Sequence, residues 1–362
     1  MRLEEDLLRG PNESRADIGR GLLNMPQPLR VVCVGGGTGM PVVLRGLRPH
    51  TLAKPGEPLL QLTAIVTMAD DGGSSGRLRR ELDLLPPGDV RNCLVALAGP
   101  RNRSIKDLFQ FRFQRGVGLE GHTVGNLVIG ALSQLRGDFL DAVRVAGNLL
   151  GARGRVLPST LRRVQLVADL DDGRRIVGEQ AITQAGRRIE RLVLDPPSPP
   201  PAPGVLTAIE LADVVVLGPG SLYSSILPNL LVGGVAEALA RSRALKVLVL
   251  NLMTQPGETD GYGAADHVQA LHEHVGPLLS CVLAHAGEHA PAQVARYAKE
   301  GAHPVTVDGN RLEALGVHLV QADIAARSAR VRHDARKLAA WILRLAQLKR
   351  AIAARRSPDE RE

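Results

Sequence analysis

A cluster of small polar residues follows the apolar run at residues 62–68, which has the composition of a buried strand. The cluster combines two carboxylates, two hydroxyls and a glycine: Asp70, Asp71, Ser74, Ser75 and Gly76. A carboxylate here can accept hydrogen bonds from ribose hydroxyls or hold a metal ion, and the hydroxyls and bare backbone can hydrogen-bond a phosphate. The alternative is an N-cap followed by a flexible turn. The chemistry that these residue types favour is recognition of a phosphorylated ligand.

Two glycine-rich turns offer backbone amides to the same kind of ligand. GGGTG at residues 35–39 precedes a predicted helix, whose dipole favours an anion, and GPGS at residues 218–221 is a second such turn. Either turn can instead serve close packing. The first is not a GxxxxGK[ST] loop, and Met40 stands where a dinucleotide fingerprint requires Gly or Ala. The turns contribute these candidate ligand-binding residues: Gly36, Gly37, Thr38, Gly39, Gly218, Gly220 and Ser221.

One arginine stands out as a phosphate clamp. Arg91, in the motif PPGDVRN, lies near a predicted helix start beside Asp89 and Asn92. The arginines that precede it are more simply interpreted as the solvated face of a helix: Arg77, Arg79 and Arg80.

Strand-like and helical patterns alternate along most of the chain, which predicts an α/β fold with a mostly parallel sheet covered on both faces. Four polar loops follow four predicted strands, and the last of them, NLMTQPGETDG, contributes Asn251. If the strands are parallel, these loops share the edge at which α/β sheets bind ligands. Asp172-Gly173, between two strand-like runs, predicts an inserted antiparallel hairpin at about residues 164–195.

The chain divides into three predicted regions. Residues 1–28 are polar and contain glycines and prolines, so we expect a loosely ordered N-terminal extension. Residues 29–345 form one domain, and residues 346–362 form a basic C-terminal tail.

Composition excludes several classes of protein. The net charge is +8, but the arginines are scattered and only 2% of residues are aromatic, which argues against specific nucleic-acid binding and favours a small phosphorylated ligand. No run reaches the ~18–20 apolar residues of a transmembrane segment. The charged N-terminus is unlike a signal peptide, and three cysteines without a CxxC pair suit a reducing cytosol. We expect a cytoplasmic protein.

Catalytic motifs are absent from the sequence. His285 and His289 have the spacing of a zinc-binding helix but lack an evident third ligand. Ser221 does not lie in a GxSxG elbow, and no Cys–His or Ser–His–Asp catalytic set is recognisable in the sequence. No catalytic residue is therefore predicted.

The ordered set of motifs resembles the YvcK-type gluconeogenesis factor family, which is similar in fold to the phospholactate transferases of deazaflavin cofactor synthesis. The motifs span about residues 30–345: VVCVGGGTGMPVVLRGL, LTAIVTMADDGGSSGRLRRELDLLPPGDVRNCLVALA, FQFRF, GHTVGNLVIGAL, GDFLDAV, ADVVVLGPGSLYSSILPNLLV, NLMTQPGETDGY and VRHD. The resemblance implies a Rossmann-like three-layer α/β/α fold with one cleft that binds a UDP-sugar, most simply UDP-N-acetylglucosamine.

The resemblance also implies a biological role. It implies a regulatory factor that links gluconeogenic carbon metabolism to peptidoglycan precursor supply and cell shape, with no required cofactor and no established reaction. It further implies a protein partner in cell-wall precursor synthesis, and we expect a homo-oligomer without a specific nucleic-acid partner.

Several site residues follow from the resemblance. The turn at residues 35–39 would face the diphosphate, and Asn126 would lie opposite the acids and Arg91, beside the turn at residues 218–221. Tyr297 would stack on or hydrogen-bond the nucleotide, and Arg332 would hold its phosphate or uracil. The alternatives are a half-buried helix aromatic for Tyr297 and a surface ion pair with Asp334 for Arg332.

Three functions remain open from the sequence. The first is a non-catalytic sensor of a UDP-sugar, and the second is a magnesium-dependent transferase of the phospholactate transferase type, in which Asp70 or Asp71 would hold Mg²⁺. The third, an NAD-dependent oxidoreductase, is disfavoured by Met40 and by the lack of a legible proton-relay histidine. The few aromatic residues make a stacking pocket for a deazaflavin hard to build, which favours the sensor.

Overall fold

Short runs of Val, Ile and Leu form a seven-stranded parallel sheet in the computed structural model, which describes residues 27–52 and 59–356. Its strands are β1 (Leu29–Gly35), β2 (Leu60–Val66), β3 (Arg155–Pro158), β7 (Val214–Leu217), β8 (Leu245–Val249), β9 (Cys281–His285) and β10 (His318–Ala322). Every pairing is parallel, and β7 is completely buried, as expected for a strand covered on both faces. The predicted α/β class and parallel sheet are confirmed.

The order of the strands across the sheet creates one reversal point. The order is β10-β9-β8-β7-β1-β2-β3, so the chain builds outward from β1 in one direction and from β7 in the other. Right-handed crossovers then place helices on opposite faces on the two sides of this point. Crevices in open α/β sheets form where the connections diverge in this way.

Fourteen α-helices are assigned within the described residues, in chain order α1 (Met40–Leu47), α2 (Gly73–Leu82), α3 (Gly88–Leu97), α4 (Arg103–Gln110), α5 (Val124–Arg136), α6 (Phe139–Leu150), α7 (Glu179–Ala185), α8 (Val205–Glu210), α9 (Leu227–Leu230), α10 (Val235–Arg241), α11 (Ala264–Val275), α12 (Pro291–Ala298), α13 (Gly309–Ala314) and α14 (Ala335–Arg356). Short 3₁₀ segments cover Arg48–Thr51 and Pro100–Asn102, and a π-helical turn covers Leu222–Ile226. Local sequence explains some boundaries. Thr123 caps α5 by accepting the Asn126 N–H, and Gly137, at φ +67°, ends that helix.

The predicted insertion is a three-stranded antiparallel sheet. Its strands are β4 (Gln165–Leu170), β5 (Arg175–Val177) and β6 (Ile189–Asp195), in the order β5-β4-β6. The turn predicted at Asp172-Gly173 joins β4 to β5, and Gly173 has the positive φ of +81° that such a turn needs. The third strand and helix α7, which lies between β5 and β6, were not predicted.

The two ends of the domain meet where strands β1 and β7 begin. Helix α14 continues without a break through residue 346, where the basic tail was expected to begin, and Ala346 is buried. Arg350 pairs with Asp213 at 2.8 Å and donates to the carbonyls of Gln27 and Pro28. The first turns of the predicted tail therefore pack against the domain. Apart from Gln27 and Pro28, the predicted N-terminal extension lies outside the described residues.

No single helix in residues 27–52 and 59–356 is long and apolar enough to cross a membrane. One pair, Leu222–Leu230 with Val235–Arg241, reaches that length and composition only together and is bent by 76°.

Candidate functional site

The four polar loops predicted to share one edge of the sheet do so. They follow β1, β2, β7 and β8, which are neighbours or near neighbours and all run parallel. The reversal point lies between β1 and β7, so GGGTG and GPGS flank it directly. This edge is where a crevice for a ligand is expected in an open α/β sheet.

The glycines of the GGGTG turn serve two different purposes. A Cβ on Gly39 would lie 2.1 Å from the Pro219 carbonyl oxygen, and one on Gly36 would lie 2.6 Å from Asp89 Oδ2. These two positions cannot carry a side chain, because neighbouring segments pack against them. Gly37 has φ +59°, and a Cβ there would meet only Ser225 Oγ, at 3.4 Å. Gly37 and the exposed Thr38 are thus the part of the turn that a ligand can approach.

Hydrogen bonds from the loop after β8 fix the conformation of the GPGS turn. Asn251 Oδ1 accepts the Gly220 N–H at 3.0 Å, and its Nδ2 donates to the Gly220 carbonyl at 2.8 Å. Ser221 Oγ hydrogen-bonds the carboxyl group of the buried Glu258 and accepts the Ser224 N–H. Asn251 and Ser221 were predicted to bind ligand, and the structure engages both side chains in fixing this turn. Gly218 is buried beneath it.

The two aspartates after β2 have different surroundings. Asp71 accepts the backbone N–H groups of Glu179, at 2.9 Å, and Gln180, at 3.2 Å, so it caps α7 of the insertion. Asp70 accepts the Gly72 N–H at 2.9 Å, and burial raises its pKa above the usual value, with Asp71 contributing in the same direction. Asp71 therefore has a structural role that the sequence did not indicate, and Asp70 is the acid left for a ligand.

Gly76 and Ser75 also hold the loop together. A Cβ on Gly76 would lie 1.9 Å from the Asp71 carbonyl oxygen, and Ser75 Oγ accepts the Gly88 N–H at 3.1 Å. Both were predicted to bind ligand, and both have local packing or hydrogen-bonding roles here.

Ser74 and Asn126 meet a histidine that the sequence analysis missed. Ser74 Oγ lies 2.9 Å from His122 Nδ1 and accepts a hydrogen bond from Asn126 Nδ2 at 3.0 Å. All three side chains are buried, and Asn126 Oδ1 has no hydrogen-bond partner among the described residues. A buried carbonyl oxygen without a donor is unusual and is typical of a site that awaits one. The Gly-His-Thr turn before α5 was the available signal for His122.

Arg91, at the same edge of the sheet, is a buried cation with an unused hydrogen-bond donor. It is only 8% exposed, its Nη2 donates to the neutral Asn92 amide at 2.6 Å, and its Nε has no partner in the described part of the chain. Its stem crosses α5, where a Cβ on Gly125 would lie 2.8 Å from Arg91 Cδ. Burial, followed by repulsion from Arg112, lowers the Arg91 pKa to about 10, against the attraction of Asp89 and Asp70. The arginine remains a cation and has an unused donor.

Two further acids lie near Asp70, and neither was among the predicted site residues. Asp89 accepts the Gly37 N–H, and burial, together with Asp70, raises its pKa to about 6. Burial raises the pKa of Glu179, on α7, to about 8, reinforced by the charges of Asp70 and Asp89. These acids are separated from the loops that they face by 50 residues or more, which no local pattern reveals.

Helix N-termini add positive potential to the same edge. Helices α1, α2, α3 and α5 each begin at one of the loops just described, and each has at least eight residues. The free N–H groups of a helix start and the helix dipole both favour an anion. Buried Arg91 and these N-termini therefore give this edge of the sheet groups that favour an anion, next to the accessible stretch at Gly37 and Thr38.

A separate cavity of about 310 Å³ lies between the loop at Asn251 and α12. Its lining includes Asn251, Leu252, His285, His289, Val294 and Val305. Tyr297 lies one helical turn from Val294, is half-buried and hydrogen-bonds the Val331 carbonyl at 3.3 Å. The mixture of apolar, imidazole and amide groups suits an aromatic heterocycle.

Arg332 follows Val331 and is exposed. Its charge contributes, after burial and Arg48, to lowering the Arg45 pKa. Asp334 Oδ1 accepts the backbone N–H groups of Arg336 and Lys337, so it caps α14. The surface ion pair with Asp334 that was the alternative for Arg332 is not among the contacts of the described residues.

No group of three His, Cys, Asp or Glu side chains converges closely enough to hold a metal ion anywhere in residues 27–52 or 59–356. His285 and His289 stack with ring centroids 5.2 Å apart, and no third ligand joins them there.

Comparison with known proteins identifies close relatives. Residues 31–325 match the family described as 2-phospho-L-lactate transferase CofD. The chain is 44% identical over 324 residues to a gluconeogenesis factor of Bacillus subtilis, covering 89% of this chain and 99% of that protein. It is 46% identical over 315 residues to a gluconeogenesis factor of Halalkalibacterium halodurans, covering 86% and 95%. A crystal structure of a UPF0052 family member from Bacillus halodurans has a TM-score of 0.83 at 45% identity, covering 88% of this chain and 99% of that one.

Proposed function

The chain belongs to the 2-phospho-L-lactate transferase CofD family, alongside proteins named gluconeogenesis factor, and we propose that it is a non-catalytic sensor of a UDP-sugar. UDP-N-acetylglucosamine is the ligand of first choice. In this proposal the protein is cytoplasmic, and ligand occupancy changes a surface that a partner in cell-wall precursor synthesis recognises. The outcome would be a link between gluconeogenic carbon metabolism, peptidoglycan precursor supply and cell shape.

The observation that carries the proposal is the buried guanidinium of Arg91. A buried charge is costly unless it is paired, and Arg91 hydrogen-bonds only a neutral amide and leaves its Nε without a partner. A diphosphate oxygen would supply the missing acceptor and place a negative charge at hydrogen-bonding distance from the guanidinium. The four helix N-termini favour the same group.

The rest of the ligand has candidate contacts along the same edge of the sheet. The exposed backbone at Gly37 and Thr38 suits the diphosphate, because no side chain obstructs it at Gly37. The cavity beyond Asn251, with Tyr297 nearby, suits the uracil end. Asp70 and the unpaired Asn126 Oδ1 are acceptors for sugar hydroxyls.

Calorimetric titration with UDP-N-acetylglucosamine, with and without Mg²⁺, tests the proposal directly, provided that the nucleotide is recovered and analysed afterwards. Equal affinity in EDTA and in Mg²⁺, with intact ligand recovered, is the expected result. ADP-glucose and inorganic diphosphate serve as competitors that separate recognition of uracil from recognition of phosphate. An absence of binding to the wild-type protein in both buffers would disprove the proposal.

A transferase is the second candidate, favoured by the cluster of three acids, Asp70, Asp89 and Glu179, and by the family to which the chain belongs. Asp70 would be the ligand for Mg²⁺, since both oxygens of Asp71 accept backbone N–H groups of α7. A bound Mg²⁺ would neutralise the charge of a nucleoside diphosphate. Binding only in Mg²⁺, or recovery of UDP or UMP, would favour the transferase over the sensor.

A further inference from the structure

Helix α4 and the hairpin that follows it, at residues 111–123, concentrate the few aromatic residues of this chain. Three of the four phenylalanines lie within five residues, Phe109, Phe111 and Phe113. Phe109 is buried and anchors the segment, whereas Phe111 is 52% exposed and meets Phe113 edge to face, with ring centroids 5.3 Å apart. An exposed aromatic on a buried anchor has the character of an interface hot spot.

The same segment exposes a row of aliphatic side chains. Leu108 is 53% exposed, and Val117, at the tip of the hairpin, is fully exposed. Ile105 and Leu119 are each more than one third exposed. Ile105, Leu108 and Phe111 recur every three residues along α4 and its end, so they extend the apolar surface in one direction. We call residues 103–121 the α4–hairpin surface. Several large apolar side chains exposed together on one element are typical of a protein-interaction site.

The hairpin is joined at its base to the candidate ligand site. The Phe113 N–H donates to the His122 carbonyl at 3.0 Å, and the Val124 N–H donates to the Phe111 carbonyl at 2.9 Å. Arg112 is the cross-strand partner of Thr123, the residue that caps α5. His122, in turn, contacts Ser74 at the cleft. A shift of Ser74 or Asn126 on ligand binding would therefore move one arm of the hairpin.

The charge of the α4–hairpin surface indicates what kind of partner it fits. Its basic residues outnumber its acidic ones, since it carries Arg103, Lys106, Arg112 and Arg115 against Asp107 and Glu120. Two copies of a positively charged surface repel each other, which disfavours a second copy of this chain as the occupant. An acidic segment with an apolar face is complementary to it.

We infer that the α4–hairpin surface docks an acidic segment with an apolar face from a partner protein, and that occupancy of the cleft changes the affinity of that docking. Docking itself does not depend on the proposed function. The coupling rests on the proposed UDP-sugar site. Thermodynamic linkage needs two ligands, each of which changes the binding affinity of the other by the same factor.

Fluorescence anisotropy with a synthetic peptide tests the inference on the full chain. The probe is an amphipathic helix with leucines on one face and glutamates on the other, and a second peptide carries lysines in place of the glutamates. The wild-type protein is expected to bind the acidic peptide and not the basic one. Phe111→Ser and Leu108→Ser should each weaken binding roughly tenfold or more. Leu211→Ser is the matched control, because Leu211 is also 53% exposed but lies next to α8.

Three results would overturn the inference. The first is failure of the acidic peptide to bind the wild-type protein, or equal binding by the Phe111→Ser and Leu211→Ser variants. The second is self-association of the wild-type chain in sedimentation that Phe111→Ser abolishes, which would make a second copy the occupant. The third, equal peptide affinity with and without saturating UDP-N-acetylglucosamine, would remove the coupling. Because the peptide is first titrated without nucleotide, the docking result can be interpreted even if the protein does not bind a UDP-sugar.

Discussion

The Gly37 N–H donates a 2.7 Å hydrogen bond to Asp89 Oδ2, 52 residues further along the chain. This bond ties the turn after β1 to the first turn of α3, and it orients the backbone that we propose to meet the diphosphate. Asp89 also fills the space beside Gly36, where a Cβ would lie 2.6 Å from its carboxylate. Asp89 is thus a positioning residue for the glycine turn.

Asp89→Ala should weaken UDP-N-acetylglucosamine binding more than Asp89→Asn, because an asparagine oxygen can still accept the Gly37 N–H. A hydrogen bond to a charged group is worth ~1.5–3 kcal/mol, so the alanine variant should lose roughly tenfold or more in affinity. Calorimetry measures the affinities, and melting temperatures check that both variants fold. Equal affinity of the two variants would remove the positioning role.

Arg91→Ala should abolish or strongly weaken nucleotide-sugar binding, by roughly tenfold or more, since it removes the buried cation of the crevice. Arg144→Ala is the control, because Arg144 is exposed and pairs with Asp141 on α6. Isothermal titration of both variants provides the comparison. If Arg91→Ala binds as tightly as the control, the anion site lies elsewhere.

Gly37→Val should fold and lose ligand binding. The new Cβ would lie 3.4 Å from Ser225 Oγ, an ordinary contact, so the cost is mainly the ~1–2 kcal/mol of backbone strain at φ +59°, and the side chain would obstruct the approach of a diphosphate. Gly137→Val imposes a similar cost, at φ +67° with no atom within 4 Å, but lies at the far end of α5. Binding assays on both variants separate obstruction from strain. Retained affinity in folded Gly37→Val would contradict the assignment of this turn to the diphosphate.

Arg332→Ala should reduce affinity roughly tenfold if its guanidinium holds the uracil or a phosphate. Arg330 is a matched control, since it is exposed, cationic and two residues away. Competition binding against labelled nucleotide sugar compares the two variants. The same small effect in both would leave Arg332 a surface residue.

Glu179→Gln should stabilise the protein increasingly as the pH rises. The folded-state pKa of about 8 exceeds the ordinary 4.5, so the folded protein holds this proton more tightly than the unfolded chain. The resulting stability is fully present below pH 4.5 and is lost as the pH rises through 8. Because the side chain is partly solvated, we expect a gain of only about 1–2 kcal/mol for glutamine at pH 8. Urea unfolding at pH 4.5 and pH 8 measures it, and a gain that does not depend on pH would argue against the raised pKa.

The elements that hold the site could be predicted because their signals are local. Runs such as VVCV before GGGTG show a strand and a turn within ten residues, and the Asp172-Gly173 pair marks its turn directly. The position of four polar loops on one edge followed from the parallel strands alone. Arg91 and Asn126 were identified in advance as candidates, and their unused hydrogen-bonding groups are a tertiary observation.

The packing and capping roles of other predicted site residues could not be foreseen, because their partners are distant in the sequence. Asp71 was expected to bind a ligand or a metal, yet it caps α7 more than 100 residues later. Gly39 was expected to face the diphosphate, and its missing side chain leaves room for the Pro219 carbonyl of another loop. The roles of Glu179 and His122 depend on the same kind of long-range approach.

The sequence by itself determined the strands and glycine turns around the polar loops and the residue types that line the edge of the sheet, because those properties depend on neighbours in the chain. Only the tertiary structure decided which of those residues remain available. Packing between loops and the capping of helices use up Gly39, Asp71, Ser75 and Asn251, and they leave Arg91 buried with an unused donor. Availability depends on burial and hydrogen-bond partners in three dimensions, which a linear pattern does not contain.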